Sequence, residues 1–133
     1  MSLRINSTGA REPSALCWHE LQTRKVDAAV GFYSKLFGWS AKRSKAGAHQ
    51  YIELFRSNDE AAGGMMEIQK EWGDVPPHWL AYFAVDDCNA QAEKAKSLGA
   101  TLLAPPTDIP GVGRFAIVQD PQGAVFSIIK MKP

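Results

Sequence analysis

The stretch "ALCWHELQT", residues 15–23, sets a histidine beside a glutamate in an apolar run. These two residue types hold divalent metals and pass protons. The run reads as a β-strand, in which successive side chains point to opposite faces, so His19 and Glu20 cannot reach one ion together. Alternation places Trp18, Glu20 and Gln22 on one face and Cys17, His19, Leu21 and Thr23 on the other. The sequence has three histidines and two cysteines. They show neither CxxC nor Cys/His spacing, and no Ser/His/Asp set has positional support, so nucleophilic catalysis has no visible basis. Cys17 and Cys88 lie far apart and read as small buried hydrophobes in a reducing compartment rather than as a disulfide.

The elements that must position these residues follow from periodicity. After the first strand, Val26, Ala29, Val30, Tyr33, Leu36 and Phe37 mark one face of a helix that Gly38 stops. Extended stretches follow at 39–45, 49–56 and 62–70, separated by Gly47 and by the turn cluster Ser57-Asn58-Asp59. "EWGDVPP", residues 71–77, has the glycine and paired prolines of a connector. The pattern then restarts. "HWLAYFAVDD" is a strand, Cys88, Ala92, Ala95 and Leu98 line a helix ended by Gly99, and strands follow at 101–104, 114–119 and 124–131. "KLFGW" in the first copy corresponds to "KSLGA" in the second. This defines an α+β fold of two tandem βαβββ modules, 14–70 and 78–131, forming a curved mixed sheet around a cleft with helices outside. Residues 1–13 read as a flexible tail. In the second module Ala81, Phe83 and Val85 should pack under the helix while Leu80 and Tyr82 face the cleft.

Composition narrows the partners. With 133 residues, 45% hydrophobic, 22% charged and a net charge of +1, the chain has the size and balance of one globular domain without a field that favours nucleic acid. No apolar run approaches the roughly 18 residues of a membrane span, and the N-terminus lacks a signal-peptide core. A cytoplasmic protein with a small-molecule partner is the expectation.

The duplicated pattern, with "AVGFYSKLFGW" after the first strand and "GVGRFAIVQDPQGAVFSIIK" at the end, resembles the vicinal oxygen chelate superfamily of glyoxalases, bleomycin-resistance proteins and extradiol dioxygenases. The likeness covers about residues 14–131. Its most specific pieces are Phe32-Tyr33 to Gly38 and Asp120-Pro121-Gln122-Gly123, the latter suited to a type I turn. In metal-dependent members, ligands project into the cleft from the first and fourth strand of each module. The resemblance sets those positions on Trp18, Glu67, Leu80 and Ser127, of which only Glu67 is a competent ligand. A catalytic zinc site needs about three protein ligands, so the expectation is no metal and no cofactor. The alternative is a divalent ion held by Glu20, Glu67 and His78.

The candidate ligand-binding residues are Trp18, Glu20, Gln22, Met65, Tyr82, Arg114 and Ser127, with Trp72 and Trp79 at the rim. Aromatic rings with carboxylates suit a flat or cationic small molecule. Glu20 and Glu67 are the candidate catalytic groups. Desolvation between rings would raise a carboxyl pKa and prepare Glu20 as a general base, with Arg114 to neutralise it or clamp an anionic substrate. "IPGVGRF" runs into a strand and so offers no helix N-terminus to a phosphate; it reads as a lip over the cleft or as a plain connector. Three functions are compatible with these residues: a metal-free binding protein, a family enzyme of lyase or oxidoreductase type, and an interaction module whose cleft is plugged by Trp18 and Tyr82. The resemblance also implies a homodimer, for which the apolar sheet edge at 39–41 is a candidate surface.

Overall fold

The computed structural model describes residues 12–46 and 49–132. Most of the expected tail, up to residue 11, and Gly47 lie outside the described residues. The element order is β1 (Leu16–Thr23), α1 (Val26–Phe37), β2 (Ser40–Ala46), β3 (His49–Phe55), β4 (Ala61–Glu67), β5 (His78–Ala84), α2 (Cys88–Ser97), β6 (Thr101–Ile109), β7 (Gly113–Gln119) and β8 (Val125–Met131). The fold is α+β: two βαβββ modules contribute to a mixed eight-stranded sheet of order β2-β3-β4-β1-β5-β8-β7-β6. In each module the first strand runs parallel to the last, β1 with β4 and β5 with β8, while β2–β3, β3–β4, β6–β7 and β7–β8 are antiparallel. The duplication read from element order is therefore a duplication of pairing.

The chain forms two compact units. In the first, within 19–79, α1 lays Val26, Ala29, Val30 and Tyr33 on a core of Leu21, Ile52, Leu54, Ala62 and Met65. Gly38 ends the helix in the left-handed region, φ 75°, with its N–H donating to the Ser34 carbonyl at 2.8 Å, a conformation that glycine adopts without the Cβ clash. Tyr33 stacks on Trp39 and meets the edge of Trp79, whose Nε1 donates to the Tyr33 hydroxyl at 3.3 Å.

In the second unit, within 12–18 and 80–132, α2 covers Ala116, Val118 and Ile128 through Cys88 and Ala92. Asp87 caps that helix by accepting from the Ala90 N–H at 3.0 Å. The opposite sheet face carries a second cluster of Cys17, Leu80, Tyr82, Ala84 and Ile129, joined by Trp18, Phe115, Ile117 and Met131. Asp120 closes the β7–β8 turn: its Oδ1 accepts from the N–H groups of Gln122 at 2.8 Å and Ala124 at 3.0 Å.

Three boundaries differ from expectation. The strand expected at 62–70 stops at Glu67, and Lys70–Trp72 form a 3-10 turn inside the expected connector. β6 continues to Ile109 through Pro105 and Pro106: β6 is an edge strand, and its register against β7 shifts between Ala104 and Thr107, so the two missing N–H groups fall on the open side and within that irregularity. "IPGVGRF" forms a tight hairpin connection between β6 and β7, closed by Val112 N–H to the Ile109 carbonyl at 3.0 Å.

Candidate functional site

Register fixes which side chains of the first unit share a face. Glu20 lies opposite Gly64 and Gln22 opposite Met66 across β1–β4, while Tyr51 pairs with Met66 and Glu53 with Gly64 across β3–β4. Cross-strand partners point to the same side of a sheet. Glu20, Gln22, Tyr51, Glu53 and Met66 therefore occupy the face opposite α1, whereas Leu21, Ile52, Leu54 and Met65 pack beneath the helix. The core needs of α1 thus set the orientation of the polar residues on the other side.

On that polar face Glu20 is 3% and Gln22 4% exposed. Gln22 Nε2 donates to Glu20 Oε2 at 2.9 Å. A buried carboxylate accepts hydrogen bonds at several lone pairs and is costly to desolvate without them. Tyr51 reaches into the same row: a Cβ placed on Gly64 would collide with its hydroxyl and ring. Gly64 is therefore required by the approach of a phenol to the backbone between Glu20 and Glu53. Tyr51 was missed as a candidate, yet "HQYIELF" carried the signal, since Tyr51 and Glu53 alternate strictly with the apolar Ile52 and Leu54.

Several expected placements change. Met65 is 0% exposed beneath α1 rather than in a cleft. Glu67 pairs in register with Thr23, two positions from Leu21 on the same alternation, so it points to the α1 side, where it is exposed. Around "AGGMME" two glycines precede two methionines, so no apolar–polar alternation sets the phase from sequence. Arg114 is likewise on the helix side of its unit: Nε donates to Asn89 Oδ1 of α2 at 2.9 Å, and Nη1 to Asp108 Oδ1 at 3.0 Å. Tyr82 lies on the opposite face of that unit. Cys17 packs with Leu80 and Tyr82, not under α1, and its thiol donates to the Tyr82 carbonyl at 3.5 Å. His19 is exposed; its Nε2 donates to the Ala62 carbonyl and its ring meets the edge of Trp79.

In the second unit Tyr82, 5% exposed, and Ser127, 0% exposed, are register partners on the face opposite α2. Ser127 Oγ donates to the Ala116 carbonyl at 2.9 Å. Trp18 packs against the same cluster as Tyr82. Both free cysteines are buried. Burial pushes the Cys88 thiol above its usual 9.0, with Arg114 acting in the opposite direction and Asp87 and Asp108 adding to the rise.

The family's metal does not fit these residues. Of the four positions implied by resemblance, Trp18 and Leu80 offer no ligand atom, since an indole N–H only donates. Glu67 lies on the α1 side of β4, and Ser127 offers only a neutral hydroxyl, whose proton goes to the Ala116 carbonyl. The rebuilt alternative does not come together either, because Glu20 and Glu67 point to opposite faces of the sheet. Among the described residues, no three His, Cys, Asp or Glu side chains gather as a metal site would require.

Two βαβββ modules with paired first and last strands define the architecture of the Glyoxalase/Bleomycin resistance protein/Dioxygenase superfamily, whose family model matches residues 15–128, and the chain belongs to that superfamily. Among similar proteins is "Putative glyoxylase CFP32" of Mycobacterium tuberculosis, 43% identical over 129 residues, covering 97% of this chain and 49% of that protein. The anthracycline biosynthesis protein DnrV of Streptomyces peucetius is 32% identical, covering 87% of this chain and 46% of that one. The chain thus spans about half the length of these relatives. Among solved structures, a Streptomyces coelicolor methylmalonyl-CoA epimerase superposes with a TM-score of 0.63 at 16% identity, covering 89% of this chain and 97% of the other. The methylmalonyl-CoA epimerase of Mycobacterium tuberculosis gives 0.61 at 15% identity, covering 89% and 88%. At such identities the likeness is one of fold. No helix among the described residues is long and apolar enough to cross a membrane.

Proposed function

We propose that this chain is a metal-free member of its superfamily that binds a small organic molecule through the polar face formed by Glu20, Gln22 and Tyr51. The observation that carries this reading is the buried Glu20 carboxylate held by Gln22 beside a phenol that Gly64 admits. Structural stability alone gains little from such a group, since an apolar side chain would fill the place without a desolvation cost. A ligand with a cationic or proton-donating group would be drawn to the carboxylate, and the Tyr51 ring offers an aromatic surface to it. Two buried free thiols support a reducing, cytoplasmic setting.

The test is protein-detected NMR with a set of small aromatic amines and their matched alcohols. Amines should shift the signals of residues 20–22 and 51 more than alcohols do, and Glu20→Gln should abolish the difference. Shifts confined to other residues, or none from any amine, would remove this face from the binding site.

A second reading, catalysis with Glu20 as the general base, draws on the same carboxylate and on the 43% identity to "Putative glyoxylase CFP32". It requires turnover of an α-ketoaldehyde, with or without a thiol, that Glu20→Gln lowers by about 100-fold or more. Turnover that survives this substitution would sink the catalytic role.

A further inference from the structure

Strand register lines up four positions of the first unit in one transverse row. Lys42 of β2 lies opposite Glu53 of β3, Glu53 opposite Gly64 of β4, and Gly64 opposite Glu20 of β1. Partners across a ladder share a face, so the row crosses the polar side of the sheet inward from its edge strand β2. Burial deepens along it: Lys42 is exposed, Glu53 half-buried and Glu20 buried. Gly64 puts no side chain between the two carboxylates. The Tyr51 hydroxyl occupies that gap from the neighbouring row, since a Cβ on Gly64 would lie 1.7 Å from it. From rim to interior the row therefore presents an ammonium, a carboxylate, a phenol and a second carboxylate. Opposite charges set directly across a ladder attract one another, yet among the described residues neither Lys42 nor Glu53 enters an ion pair.

We propose that this row selects a zwitterion, a small molecule whose ammonium rests on Tyr51 between Glu20 and Glu53 and whose carboxylate reaches Lys42. This choice of ligand class rests on Glu20 serving as the binding carboxylate. Glu20 and Glu53 stand about two strand spacings apart, about 9–10 Å at Cα, with the phenol at the midpoint. A cation placed there is attracted by both carboxylates and by the ring. Two carboxylates alone would accept a diamine equally well. A ligand that extends toward the exposed end of the row meets Lys42, however, which repels a second ammonium and attracts an anion. Lys42 is two strand spacings from Gly64, so the two charges of the ligand belong about 5–10 Å apart. An α-amino acid, with both groups on one carbon, is too short. A flat spacer of ring size fits and lies against Tyr51.

Calorimetric titration of the full chain at low ionic strength with para-aminomethylbenzoate, benzylamine and benzoate tests it. The zwitterion should bind about 3- to 5-fold more tightly than benzylamine, the scale of one partly exposed ion pair, and benzoate more weakly than either. The advantage should fade at about 0.5 M salt. Lys42→Gln should weaken the zwitterion to the level of the amine. Lys42→Glu should reverse the order, so that para-xylylenediamine binds more tightly than the zwitterion. Both exchanges fall at an exposed position and should leave the urea midpoint nearly unchanged. Glu53→Gln should weaken amine and zwitterion alike. Equal affinities for amine and zwitterion that neither exchange at Lys42 alters would overturn the zwitterion and leave the Glu20 site standing. Benzoate binding as tightly as the zwitterion would also overturn it, because the anion alone would then suffice. No binding of any amine would remove the site itself and the zwitterion with it.

Discussion

Gln22 and Glu20 stand two positions apart on β1 and are joined side chain to side chain, Nε2 to Oε2 at 2.9 Å, with both residues almost wholly buried. Adjacent same-face positions on one strand lie about 7 Å apart at Cα, so both side chains must lean together to make this bond. The pairing fixes the direction of one carboxylate oxygen. It also makes Gln22 dependent on Glu20, because a buried amide donor without an acceptor bears its full desolvation cost.

Substitution at Glu20 should therefore separate stability from binding. Glu20→Leu leaves Gln22 Nε2 without this acceptor and should cost about 1–3 kcal/mol in urea denaturation. Glu20→Gln preserves an acceptor and should cost less than about 1 kcal/mol while still weakening any cationic ligand. Equal stability losses for the two variants would show that the carboxylate's charge, not the Gln22 hydrogen bond, holds the site together.

Gly64→Ala should destabilise the fold by about 1–3 kcal/mol through overpacking, since its Cβ would run into the Tyr51 ring and hydroxyl. The ring is the cause, so the same substitution made in a Tyr51→Leu background should cost much less. A double-mutant cycle by urea denaturation reads the coupling directly. No coupling would mean that the glycine is needed for the backbone of β4 rather than for Tyr51.

Burial raises the Cys88 thiol above its usual 9.0, and this has a direction in pH. The folded protein keeps the thiol proton at pH values where the unfolded chain has begun to release it. The associated stability is thus fully present below pH 9.0 and is lost as pH rises above it. Urea midpoints measured from neutral to alkaline pH should fall more steeply for the wild type than for Cys88→Ala. Parallel curves would show that the thiol does not contribute.

The sequence disclosed the fold more fully than the site, for a physical reason. Helix α1, its glycine stop and the polar turn at Asp120 each combine periodicity with a specific end signal, and each is found where the pattern puts it. β1 also keeps its phase from Glu20 to Gln22, because Leu21 must reach the α1 core. β4 and β7 were not legible in this way. β4 carries glycines and methionines on both faces, and β7 alternates Phe115 and Ile117 with Ala116 and Val118, apolar on either side. Such strands fit two opposite phases by pattern alone, and only pairing with β1, β3 or β8 chooses one. Glu67, Met65 and Arg114 were misplaced for this reason, and Cys17 because β1 serves a different core at its first residues.

Asp120 offers a local test of the turn. Its carboxylate accepts from the Gln122 and Ala124 N–H groups, while Gly123 completes the turn at φ 101°. Asp120→Ala should lose about 1–2 kcal/mol, whereas Asp120→Asn, which keeps an acceptor oxygen, should lose less. Thermal melts of the two variants check this, and an equal loss would assign the effect to charge.

The face assignments make the sharpest prediction for binding. Glu67 and Arg114 carry full charges and would dominate a site that included them, yet both lie on the helix side of their own units. Arg114 pairs with Asp108 at an exposed surface, with side chains 38% and 75% accessible, so its ion pair contributes no more than about 0.5 kcal/mol. Glu67→Ala and Arg114→Ala should each leave ligand affinity within about twofold, or about 0.4 kcal/mol, of the wild type. Glu20→Gln in the same titration should weaken binding by about 10-fold or more, the scale of one charge-assisted hydrogen bond. Loss of binding on Glu67→Ala with none on Glu20→Gln would place the ligand on the α1 side and reverse the assignment.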